Sequence, residues 1–82
     1  MNERLRYQGR LAEKRLEAKE LKLRIEGMID SLRTQLDPFE DIENIKAHLI
    51  AGQAVDLSDY KTMYMETLED IRKLKKELGI KP

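Results

Sequence analysis

Residues 2–36 carry the feature that most limits what this chain can become: a run of strong helix formers with an apolar recurrence of seven, unbroken until Asp37-Pro38. Leu11, Ala18, Ile25 and Leu32 form one row. Leu21 and Met28 form a second, with Leu36 one residue out of step and Ile29 broadening the stripe. Spacings of three, four and seven predict an amphipathic helix with a heptad tendency. Glu20 and Arg24 add a favourable pair one turn apart. At ~1.5 Å per residue such a helix spans about 52 Å, so it needs a companion along most of its length. Gly9 and Gly27 interrupt it, each costing about 1 kcal/mol relative to Ala. The apolar stripe thins around Gly9, and residues 1–10 are expected to fray.

LDPFEDIE, residues 36–43, is where the run stops. Proline disfavours helix in the residue before it and is accepted at a first helical position. Asp37 therefore reads as an N-cap and Glu40 as its capping-box partner, opening a second helix over 38–51. Phe39, Ile42, Ile45 and Leu49 fall on one face of that helix, and Gly52 is its natural stop. QAVD is a connection, with Val55 able to turn inward. A third helix over 57–78 shows Leu57, Tyr60, Tyr64, Leu68, Ile71, Leu74 or Lys75, and Leu78 recurring at three and four. Gly79 ends it and Ile80 follows in a Schellman position.

The expected fold is all-α and a single domain over 1–82. A long N-terminal helix packs against two shorter ones, either as a coiled-coil-like hairpin with a broken second arm or as a three-helix bundle. Leu21, Ile25, Met28 and Leu32 are expected to face Leu57, Tyr64, Leu68 and Ile71, with Ile42, Ile45 and Leu49 packing from the middle segment.

Composition narrows the function. The chain has no cysteine, which excludes disulfide scaffolds and cysteine metal sites. Only 5% of residues are aromatic, so the core must be aliphatic. No apolar run approaches the roughly 18–20 residues of a membrane span, and no h-region follows the basic start. A cytoplasmic protein without membrane attachment is expected. His48 is the one histidine, and neither H-E-x-x-H nor Glu-x-x-His surrounds it. The acidic cluster lacks the D-x-D-x-D-G order of a calcium loop and contains Pro38. Nothing resembles a triad, a nucleophile elbow or a phosphate-binding glycine loop. Neither catalysis, a cofactor nor a small-molecule substrate is expected.

Charge leaves two openings. Residues 1–36 hold nine basic and six acidic residues, 37–60 one and six, and 61–82 six and four. This basic–acidic–basic order suits folding back or pairing with a second copy. The first expectation is thus a non-enzymatic helical interaction or structural protein. It forms a homodimer or joins another helical protein through its apolar stripes. The alternative is a nucleic-acid accessory factor that uses the basic first helix through Arg6, Arg10 and Arg15, although interleaved Glu13, Glu17 and Glu20 weaken that field.

Overall fold

The computed structural model describes residues 2–80, and it is an all-α helical hairpin. Helix α1 runs Glu3–Gln35, a one-turn 3-10 helix covers Ile42–Asn44, and helix α2 runs Ala47–Glu77. The two long arms pack against each other and form a rod of 62 × 17 × 15 Å. The radius of gyration is 18.2 Å, against about 12 Å for a compact domain of this length.

Helix α1 is capped at its start: the Asn2 side chain accepts the Arg4 N–H at 2.9 Å, satisfying one of the free donors there. At its other end the Leu36 N–H still reaches the Leu32 carbonyl, and then Pro38 prevents continuation.

The expected helix start at Pro38 does not form, and regular helix begins only at Ala47. Asp37 does cap locally, its carboxylate accepting the Phe39 N–H at 3.0 Å, but only a turn follows. Glu40 does not close a capping box. Its carboxylate accepts instead from the Asp41 N–H and from the Asn44 side chain, both at 3.1 Å. The physical reason is burial. A short helix is marginal unless a face of it packs, and Phe39 and Ile42 are 93% and 88% exposed beyond the end of the arms.

Nor is the second arm broken at Gly52, which lies inside α2 with negative φ. Ile50, Gln53 and Leu57 already follow the seam spacing through that point, and packing along it outweighs the roughly 1 kcal/mol propensity cost of glycine. QAVD is helical, and Val55 points outward at 61% exposure. Gly79 does stop the helix, with φ 71°. The Ile80 N–H donates to the Lys75 carbonyl at 2.8 Å and the Gly79 N–H to that of Lys76 at 3.1 Å, the paired bonds of a Schellman motif.

One seam joins the arms. It runs through Tyr7, Leu11, Lys14, Ala18, Leu21, Ile25, Met28, Leu32 and Gln35 of α1, with Ile29 half-buried beside it, and through Ile50, Gln53, Leu57, Tyr60, Tyr64, Thr67, Ile71 and Leu74 of α2 and its C-cap Leu78. Both sets alternate steps of three and four without a slip. Packing is tightest at the end holding the termini, where Leu11, Ala18, Ile71, Leu74 and Leu78 cluster with Tyr7 and Tyr64 beside them. Leu36 is out of step and exposed, and Gln35 takes the seam position, donating from its side-chain amide to Gln53. Likewise Leu68 lies outside the seam, 36% exposed, and Thr67 is buried in its place. The Thr67 hydroxyl donates to the Met63 carbonyl at 2.9 Å, which removes the cost of burying it. Thr67 and Ala18, both small, hold buried positions on facing arms.

Candidate interaction surfaces

A single seam leaves most of each helix outside. The solvent-accessible surface is 6776 Å², against about 5100 Å² for a compact protein of 9.7 kDa. Among the described residues no apolar side chain is fully buried. What the outer surface carries therefore decides what the molecule can do.

The expected packing residues divide into three groups. Leu21 and Ile71 are buried, whereas Ile25, Met28, Leu32, Leu57 and Tyr64 are half-buried along the seam. Ile45 is half-buried beside it, while Ile42, Leu49 and Leu68 are exposed. Sequence reasoning passed over Thr67, Lys14, Gln35 and Gln53, because polar side chains do not register in a search for apolar recurrence. A strict alternation of three and four, applied without regard to residue type, would have found them.

Polar seam groups set the alignment of the arms. The Lys14 ammonium sits 3.4 Å from both Glu17 and, across the seam, Asp70. Hydrogen bonds to Glu17 and then Asp70 raise its pKa above the ordinary value of 10.5. The Arg24 guanidinium lies 4.7 Å above the Tyr60 ring, a cation–π contact between arms. Beside it an open groove of about 350 Å³ is bounded by Arg24, Gly27, Met28, Gln53, Asp56 and Tyr60. On the outer surface, Arg72 pairs with Glu69 through a hydrogen bond that lowers the carboxyl's pKa.

Three outer surfaces follow from the seam. Directly opposite it on α1 lie Leu5, Gly9, Ala12, Leu16, Lys19 and Leu23, again at steps of four and three. Leu5, Leu16 and Leu23 are 63%, 58% and 62% exposed. Helix α1 is thus apolar on two opposed sides, and it shows almost no net amphipathic bias.

The two broad sides of the rod carry opposite charge. In antiparallel arms, residues that follow the second member of each three-step seam pair flank one side on both helices. That side, with its bordering positions, holds Arg15, Lys19, Lys22 and Arg33 of α1 and Lys61, Arg72 and Lys75 of α2. Glu26 borders it, and Glu69 reaches it through its pair with Arg72. The other side, which contains the Lys14–Asp70 pair and the groove, gathers Glu13, Glu17, Glu20, Asp56, Asp59, Glu66, Asp70 and Glu77. Arg6, Arg10 and Arg24 sit among those acids, and Glu3, Arg6, Tyr7 and Arg10 share a small surface hollow. The structure therefore separates the three arginines expected to contact nucleic acid: Arg6 and Arg10 lie on the acidic side, and Arg15 on the basic one.

Among the described residues no group of three His, Cys, Asp or Glu side chains is placed to hold a metal ion. His48 is exposed in the first turn of α2. No described helix is long and apolar enough to cross a membrane. No family model, curated protein or solved structure matches the chain.

Proposed function

We propose that this protein is a non-enzymatic helical interaction module that self-associates, its arms and its partner contacts both using coiled-coil-like packing. The observation that carries the reading is the outward apolar stripe of α1, a second row at heptad spacing that the hairpin itself leaves uncovered. Unbroken alternation of three and four along the seam supports antiparallel coiled-coil packing within the chain. The excess exposed surface supports a partner.

Charge favours one mode of pairing. In a two-fold dimer each surface patch meets its own copy. Stacking either broad side on itself would bring like charges together, which costs stability. The outer stripe of α1 is nearly free of charge. Antiparallel pairing there sets Leu5 against the partner's Leu23 and Ala12 against the partner's Leu16, while Gly9 leaves room for the partner's Lys19. A chain with no cysteine is at home in the reducing cytoplasm, where we place it.

Sedimentation velocity over a concentration series tests this. The expected result is a dimer that Leu16→Asp converts to a monomer with its helical circular dichroism intact, since Leu16 lies outside the seam. A wild-type monomer at all concentrations, or a dimer indifferent to Leu16→Asp, refutes it.

A further inference from the structure

The basic side of the rod is a surface that neither helix makes alone. We infer that it docks on the phosphate backbone of duplex nucleic acid. Arg15 and Lys22 line one edge of the seam and Lys61 and Lys75 the other, with Lys19 and Arg72 just outside each row. All six side chains belong to regular helix, so their spacing is held by the backbone rather than by loops.

Two dimensions fit a duplex. Lys61 to Lys75 spans about 21 Å at ~1.5 Å per residue, a length over which duplex DNA presents about 12 phosphates. Packed helix axes lie roughly 8–10 Å apart, so the two rows of cations are about one groove width from each other. Each row can then meet a different strand. Glu13, Glu17 and Glu20 of the first helix lie on the opposite side, so the acids that reduce this field are Glu26 at its border and Glu69, which pairs with Arg72. The site rests on the pairing of two helices and differs from one built on the first helix by itself, which would use Arg6 and Arg10. Lys19 borders the α1 outer stripe as well, but Arg15, Lys22, Lys61 and Lys75 lie outside that stripe, so the triple variant below leaves it intact and dimerisation and docking are read out independently.

The test is fluorescence anisotropy with a labelled 20-base-pair DNA duplex, titrated with the full chain from 50 to 200 mM salt. Six phosphate contacts, Arg72 exchanging its Glu69 partner for a phosphate, predict a loss of about a thousandfold in affinity over that range. Arg15→Gln/Lys22→Gln/Lys61→Gln removes half of the contacts and is expected to halve the salt slope with helicity unchanged. Arg6→Gln/Arg10→Gln is expected to leave binding within about twofold. Anionic vesicles and the protein alone at 50 mM salt complete the set. Absence of duplex binding at 50 mM salt overturns the inference, as does equal loss in the Arg6/Arg10 variant. Tighter binding to vesicles than to duplex overturns it too. So does salt-sensitive self-association abolished by the triple variant, which would assign the basic side to the acidic side of a second copy.

Discussion

Replacing Gly52 by alanine asks directly whether the second arm is one helix. In the structure Gly52 is an interior helical residue with ordinary negative φ, five residues past the start of α2. A Cβ placed on it meets nothing within 4 Å, so the new methyl neither clashes nor fills a void. The effect is then the propensity difference alone, about 0.8–1 kcal/mol in favour of alanine. Part of that gain arises in the unfolded chain, where alanine has fewer conformations to lose. For a domain of this size 1 kcal/mol corresponds to roughly 4–8 °C in Tm. Thermal and urea melts followed by circular dichroism at 222 nm, at one fixed protein concentration, measure it; the concentration must be held because dimerisation would itself move Tm. Gly79→Ala is the internal contrast. Its φ of 71° is poorly tolerated by a side chain, so the same substitution is expected to cost about 1 kcal/mol there. If Gly52→Ala destabilises by an amount like Gly79→Ala, then Gly52 ends a helix, the arm is broken, and the continuous seam through Ile50, Gln53 and Leu57 is wrong.

Two further expectations separate seam from surface. Leu74, 7% exposed, is expected to cost about 2–4 kcal/mol as Leu74→Ala, whereas Leu68→Ala at 36% exposure should cost less than about 1 kcal/mol; urea midpoints that rank them the other way would place Leu68 in the seam. Lys14 contributes through a raised pKa, so its stabilisation is fully present below 10.5 and is lost as pH rises through the raised value. The difference in melting temperature between wild type and Lys14→Met should hold steady from pH 7 to 9 and shift against wild type above pH 10.5. A constant difference up to pH 12 would show that the contacts with Glu17 and Asp70 contribute nothing.

Much of the architecture is local enough to be legible in residue order. Helix formers recurring at three, four and seven impose helix wherever they run long, and Pro38 stops the first run because no residue can donate from a proline nitrogen. Gly79 followed by Ile80 announces its own cap for the same reason: the geometry involves only the last turn. Sequence and structure part where a local signal competes with packing. Asp37, Pro38 and Glu40 have the chemistry of a helix start, yet no apolar surface waits for Phe39 and Ile42. Gly52 has the chemistry of a stop, yet the seam passes through it. Leu68 is the more apolar residue, yet Thr67 is in step with Tyr64 and Ile71.

Residue order alone therefore settled that the chain is helical and that its first arm runs from about residue 2 to residue 36 and stops before Pro38, within a residue of the observed Glu3–Gln35. Only the paired arms decided how the charges are shared. Along the chain they read as basic, acidic and basic with no net charge. Antiparallel packing then brought the matching flanks of both helices to common sides, setting Arg15 and Lys22 beside Lys61 and Lys75 and turning Glu13 and Glu20 away from them. The physical reason is range: propensity and capping act within a turn or two, whereas a surface shared by two helices exists only once the seam has set their rotation and alignment.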